Sequence, residues 1–220
     1  MSNTKTFLQD FIIIKEHRKN RDAPVDVHGS GGTHFPSDPK LRKLYIFISV
    51  FLSSMTKDEQ VSKTIAILQE NKCDLDMLCT IDEKKLQSML RVRYAGRKAK
   101  NLKKAAQIIK TKHNGEIPKT ISELRSLEGV GEKMSLAMMN FIWNQCVGIS
   151  VDVHIHRIAN RIGWVQTKTE AATRKVLEAL LPQKDWKEFI TVISGFGQQI
   201  CKKTPLCASC NLKNSCVSYV

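Results

Sequence analysis

Four cysteines crowd the C-terminal end of the chain as Cys201-x5-Cys207-x2-Cys210-x5-Cys216. Almost no apolar residue stands between them, so they cannot build a core of their own, and a metal is the economical reason for their density. Four thiolates suit a tetrahedral zinc ion or a [4Fe–4S] cluster, and spacing does not separate the two. Upstream, Leu127-Glu128-Gly129-Val130-Gly131-Glu132-Lys133 reads as a tight hairpin between helices. The N–H groups of Gly129, Val130 and Gly131 would meet the positive end of the next helix, a place for a phosphate oxygen. Lys133 falls in that helix's first turn, where the dipole disfavours a cation by a few tenths to about 1 kcal/mol. A nucleophilic amine and a phosphate-binding lysine would each use this position. Asp152, in Val151-Asp-Val-His-Ile-His-Arg157, is placed as a helix N-cap, and its carboxylate could also support a cationic sugar intermediate. His154 and His156 lie two apart and point in different directions on a helix, which argues against a two-histidine metal site.

The charge balance says what such groups would act on. With 35 Lys+Arg against 21 Asp+Glu, the net charge is +14 and the pI about 9.6, so the chain seeks a polyanion. The excess is concentrated: eleven Lys or Arg and no Asp or Glu lie between Lys84 and Lys112. A solvated helix face would mix its signs. Nucleic acid is therefore the favoured partner, an anionic membrane the second, and Arg97 and Lys98 are candidate phosphate contacts. No apolar stretch approaches the length of a membrane span. The polar start and the lack of a visible secretory signal lead us to expect reduced thiols or metal ligands, not disulfides. Cys73, Cys79 and Cys146 stand apart in helical patterns and read as small core residues.

The elements that must carry these groups are helices. Asp38-Pro39 reads as cap and first residue of a helix with Leu41, Leu44, Tyr45, Ile48, Phe51 and Leu52 at helical spacing. Asp58 is expected to cap a second helix, and Asp74 and Asp82 to open two short ones. A basic amphipathic helix spans 95–110, ended by His113-Asn114-Gly115. Further helices are expected over 132–144, 152–163, from 169 to before Pro182, and over 185–194. Only 22–36 has loop composition. No period-2 run appears, so the fold class is all-α.

Taken together and in this order, the hairpin with its lysine, Val151-Asp-x-His-x-x-Arg157 and the cysteine cluster resemble the endonuclease III family of DNA glycosylases. Finer runs look like its eukaryotic branch: Asp22-Ala-Pro-Val-Asp26, Ser53-Ser-x-Thr-Lys-Asp58, His156-Arg-Ile-Ala-Asn-Arg161 and Gly195-Phe-Gly-Gln-Gln199. The resemblance implies a two-lobed helix-hairpin-helix glycosylase fold with DNA between the lobes. A six-helix barrel would span 37–146, and 1–36 with 147–220 would form a discontinuous iron–sulfur lobe. It implies a bifunctional enzyme, a DNA N-glycosylase and abasic-site lyase acting on oxidised or saturated pyrimidines flipped out of the duplex. Lys133 would attack C1′ and form a Schiff base that undergoes β-elimination. Asp152 would match the essential aspartate, and Cys201, Cys207, Cys210 and Cys216 the four ligands of a [4Fe–4S] cluster. The implied partner is double-stranded DNA bearing damaged pyrimidines or abasic sites, bound by a monomer in the nucleus, with the mitochondrion second.

Three departures from the family pattern stand out. The first cysteine gap is five residues where six are usual, shortening the basic loop that holds Lys202 and Lys203. Met55 stands where the family usually has Gln filling the space left by the flipped base, and Tyr94 occupies a second wedge position. The alternative to the wedge is that Met55 simply packs between the first two helices. Glu128 and Glu132 flank the hairpin and should weaken its hold on phosphate. Three other readings compete, one of them a zinc-bearing RNA-binding protein, which predicts a colourless preparation and no lyase activity. An adenine-excising relative lacks the hairpin lysine, and a non-catalytic helix-hairpin-helix DNA-binding protein leaves the pairing of Lys133 with Asp152 unexplained.

Overall fold

The computed structural model describes residues 4–32, 34–214 and 216–219. Its helices are α1 (Thr4–His17), α2 (Pro24–Val27), α3 (Pro39–Leu52), α4 (Asp58–Glu70), α5 (Leu75–Thr80), α6 (Glu83–Met89), α7 (Ala95–Lys112), α8 (Ile121–Ser126), α9 (Glu132–Trp143), α10 (Val153–Arg161), α11 (Glu170–Leu180) and α12 (Gln183–Gln199), with one 3-10 turn at Cys207–Ser209. No strand occurs among the described residues, so the class is all-α. The chain divides into two units. One is continuous from His28 to Gln145; the other joins the residues up to Val27 to those from Cys146 onward.

In the continuous unit α3 is the centre. Asp38 caps it, its Oδ1 accepting from the Leu41 N–H at 2.7 Å, and Pro39 is the first helical residue. From Leu44 to Leu52 every residue is buried, as expected of a helix apolar on all sides and wrapped by others. α4, α7 and α9 pack on α3; α5 and α6 pack on α7, and α8 on α9. Asp58 does not cap α4: it is the first helical residue, and Lys57, in extended backbone, takes the cap position without a side-chain bond. Its carboxylate still lies at the positive end of the helix. α8 has too few apolar residues to register as periodic, yet Thr120 caps it, accepting from the Glu123 N–H at 3.2 Å and donating to the Glu123 carboxylate at 2.8 Å.

In the discontinuous unit α12 is the centre, and α1, α2 and α10 pack on it. Phe7, Phe11 and Ile14 form the inner stripe of α1. The Phe7 ring meets Trp164 edge-on at 4.7 Å, and Phe11 lies 5.2 Å from Phe189. α12 starts at Gln183 and runs to Gln199, past the expected end at Ser194 and through Gly195 and Gly197. Those glycines permit close approach and do not terminate the helix. A Cβ on Gly195 would fall on the Arg18 guanidinium, and one on Gly197 would sit 2.7 Å from the His154 Cβ. Arg18 is 1% exposed, pairs with Asp26 and, at 3.3 Å, with Asp22, and donates to Gln199 Oε1 at 2.5 Å. The Val25 N–H donates to Gln198 Oε1 at 2.9 Å. The runs Asp22–Asp26 and Gly195–Gln199 are thus two halves of one staple, and the 22–36 stretch contains a short helix, α2, as part of it.

Candidate active site and nucleic-acid interface

The hairpin is built by two apolar anchors and two glycines. Leu127 and Val130 are buried and hold the turn down, and the Val130 N–H donates to Leu127 O at 3.0 Å. Gly129 has φ +90°, and a Cβ there would stand 3.1 Å from Asn101 Nδ2 and 3.2 Å from Phe51 Cζ, so both backbone and space demand glycine. Gly131 caps α9 without a side chain, and nothing lies within 4 Å of where its Cβ would be. Gly131 thus leaves open space at the start of α9, whereas the Val130 N–H, expected from the sequence to meet a phosphate, is taken up by Leu127 O. Lys133, the second residue of α9, is exposed. Glu128 pairs with Lys104 at 2.7 Å, which offsets part of the negative charge beside the hairpin.

A second cluster forms where α3 and α4 are joined. Met55 and Tyr94 are both large, exposed (65% and 51%) and left-handed, with φ of 55° and 57°. Such a backbone costs a branched or bulky residue roughly 1–2 kcal/mol, so something must hold it. That is Lys98, and here the structure corrects the sequence reading. Lys98 is 6% exposed and is not available to a phosphate. Its Nζ donates to Leu52 O (2.7 Å), Ser54 O (2.7 Å) and Thr56 Oγ1 (2.9 Å), enclosing the turn that presents Met55. Thr56 Oγ1 also accepts from the Arg93 N–H at 3.3 Å, and the Lys98 N–H donates to Tyr94 O at 3.0 Å, so both turns share one hub. Burial, with a lesser push from Arg97, lowers the Lys98 pKa to about 8. The exposure of Met55 also removes the alternative in which it packs between helices. Arg93 and Arg97 stack on Tyr94, their guanidinium carbons 5.5 and 5.1 Å from the ring centre. Several other cations of the basic stretch are tied up internally: Lys103 donates to Ile81 O, and Lys110 pairs with Asp76 at 2.7 Å.

Asp152 lies in the discontinuous unit, and Lys133 in the continuous one. Asp152 is the N-cap of α10, Oδ1 accepting from the Ile155 N–H at 2.7 Å. Its other oxygen, Oδ2, accepts from the Ser194 hydroxyl of α12 at 3.0 Å. Sequence reasoning missed Ser194; the signal was a lone hydroxyl in the apolar run Ile190–Phe196. His154 Nδ1 lies 3.1 Å from Arg157 Nη2, and His156 Nδ1 lies 2.7 Å from Thr173 Oγ1, so the two histidines do face apart.

The four C-terminal cysteines line one cavity of about 100 Å³, walled by Ile162, Phe196, Ile200 and Leu212, with Arg161 at its edge. Arg157 donates to Cys201 O at 2.8 Å, and Arg161 reaches Cys201 Sγ at 3.5 Å and the carbonyls of Lys202 (2.6 Å) and Lys203 (3.1 Å). These bonds order the short basic loop and leave the Lys202 and Lys203 side chains exposed. Burial, and then the thiolates of Cys201, Cys216 and Cys207, push the Cys210 thiol up. Among the described residues, no three His, Cys, Asp or Glu side chains meet closely enough to hold one ion. Cys73, by contrast, is buried in the core of the continuous unit, its thiol pushed up to about 11, mainly by burial.

An all-helical fold bearing an open helix–hairpin–helix turn and an exposed lysine behind it defines a class of DNA repair protein. The family description "HhH-GPD superfamily base excision DNA repair protein" matches residues 48–183, and the chain belongs to that family. Within it the chain is similar to endonuclease III homologues. It is 36% identical to the Encephalitozoon cuniculi endonuclease III homologue, over 94% of this chain and 92% of the relative. It is 38% identical to the Gallus gallus endonuclease III-like protein 1, over 92% of this chain and 74% of the relative. Its fold matches a trapped covalent endonuclease III–DNA intermediate with a TM-score of 0.86 at 22% identity, covering 100% of this chain and 98% of that one.

Proposed function

We propose that this chain excises oxidised or saturated pyrimidines from double-stranded DNA and then cleaves the strand, with Lys133 as nucleophile. Its class, a DNA glycosylase and abasic-site lyase of base excision repair, comes with the family. The observation that carries the residue assignment is the exposed residue Lys133 in the first turn of α9, behind a hairpin whose Gly131 leaves open space before that helix's first amides. Those amides hold a phosphate, and the Lys133 amine attacks C1′ as the C1′–base bond breaks. Loss of the amine proton and opening of the C1′–O4′ bond, with O4′ leaving as a hydroxyl, then give a Schiff base. Loss of a C2′ proton then expels the 3′ phosphate. Asp152, fixed as an anion-bearing cap, stabilises the positive charge that develops on the sugar. Met55 and Tyr94, presented on strained turns, fill the space that the extruded nucleotide leaves. The lesion's DNA sets the compartment as the nucleus first and the mitochondrion second.

The cysteine site fits a [4Fe–4S] cluster. Four cysteines lining one cavity are the donor set such a cluster takes, and the likeness to endonuclease III homologues favours it over zinc. Cys201, Cys207, Cys210 and Cys216 would hold the cluster, which when bound cross-links the C-terminal segment.

Incubation with lesion-bearing duplex and borohydride tests the proposal. Wild-type protein should yield a covalent complex; Lys133→Gln should yield none while binding the same duplex. A trapped complex with Lys133→Gln would give the nucleophile to another amine.

A further inference from the structure

We infer that Ser194 is a positioning residue for Asp152, fixing the second carboxylate oxygen so that the charge, and not merely the cap, is delivered to the reacting sugar. This rests on the role proposed above for Asp152. A capping aspartate needs one oxygen, and Oδ1 does that work at Ile155. The other oxygen of an ordinary cap turns to water. Here Oδ2 is met at 3.0 Å by a hydroxyl from a different helix.

That meeting is built. Ser194 is 4% exposed on a stretch of α12 that otherwise buries Ile190, Val192, Ile193 and Phe196. A buried helical serine usually returns its proton to a carbonyl one turn back; this one sends it to Asp152. It reaches because Gly197, lacking a Cβ, lets α12 lie against His154 in the first turn of α10. Arg157 then locks the approach, donating to Gly197 O at 3.0 Å. The carboxylate is gripped by α10 through one oxygen and α12 through the other, so it cannot rotate about its terminal bond. Each oxygen keeps lone-pair capacity for a cation. Preorganised charge of this kind acts on the chemical step and leaves ground-state binding alone.

The test compares Ser194→Ala, which keeps the volume, with Ser194→Thr, which keeps the donor. Base excision is followed in single turnover with excess enzyme on a dihydropyrimidine duplex. Affinity is titrated on a duplex carrying a tetrahydrofuran abasic analogue, and melting is recorded for each. Ser194→Ala should slow excision about tenfold, the scale of one hydrogen bond to a charge, with affinity within twofold of wild type. Ser194→Thr should restore most of the rate; if its extra methyl lowers the melting temperature, Ser194→Cys, a weak donor of similar size, should fall between Ser and Ala. On an Asp152→Asn background, Ser194→Ala should add no further loss. A wild-type rate for Ser194→Ala overturns the inference, as does a loss that tracks melting across all variants or one that adds fully to Asp152→Asn. If wild-type protein itself neither excises nor traps, it is the parent reading that falls.

Discussion

Lys98→Met removes a buried amine and keeps its apolar stem, and the consequence can be worked through. Burial holds the folded Lys98 pKa near 8, against 10.5 for the free side chain. At about 1.36 kcal/mol per unit, that gap is worth roughly 3 kcal/mol. A folded value below the unfolded one means that the unfolded chain carries the extra proton between pH 8 and 10.5. Stability therefore rises with pH through that window and loses the contribution as pH falls through 8. Between pH 7 and pH 10 the gain is about 2–3 kcal/mol, or roughly 5–10 °C in melting temperature for a chain of this size. At pH 7 the substitution takes the amine donor from Leu52 O, costing about 1–3 kcal/mol, while Ser54 O keeps the Thr56 hydroxyl at 3.2 Å, and it relieves the desolvated charge. The two nearly cancel, so the signature is the pH dependence. Thermal melts of both proteins from pH 7 to 10 should diverge, the variant lacking the alkaline rise. Parallel curves would refute the reasoning. The same variant should leave the salt dependence of DNA binding unchanged, whereas Arg97→Gln, if it loses a phosphate contact, should reduce the log–log slope by about 0.9.

Met55→Ala should weaken binding to lesion duplex and leave melting within about 2 °C, since the side chain is 65% exposed. Met55→Gly should raise stability by about 1 kcal/mol through relief of the left-handed backbone, and a lower melting temperature would contradict the strained turn. Gly195→Ala should cost roughly 3–5 kcal/mol by driving Arg18 from its carboxylates, read by urea unfolding. Cys207→Ser should abolish the brown colour and iron content of anaerobically purified protein; one equivalent of zinc in the wild type would exclude the cluster.

Much of this arrangement could be read from the chain because it depends on local rules. Asp38, Asp74 and Asp82 cap helices because a short acceptor before an apolar period has one use. The Gly-Val-Gly hairpin and its lysine are contiguous, so the turn and the first helical residues follow from residue type. What could not be read depends on distant partners. Nothing near Lys98 in sequence distinguishes it from Arg97, yet one is sealed beneath a turn 42–46 residues away and the other lies on Tyr94. Ser194 gains its role from Asp152, 42 residues earlier. The helix expected to stop at Ser194 runs on through Gly195 and Gly197, whose use is close approach to Arg18 and His154, partners far away in the sequence.

The division of the chain at Val27 and at Cys146 also dictates the order in which a newly made molecule matures. The continuous unit can complete itself as soon as Gln145 has left the ribosome. α1 cannot, because its partner α12 is finished only at Gln199. At about 5–20 residues per second, the stripe of Phe7, Phe11 and Ile14 waits on the order of 10–40 s for its cover. During that interval a segment made before the continuous unit is buried after it, and an apolar helix is left open to chaperones or to its own kind.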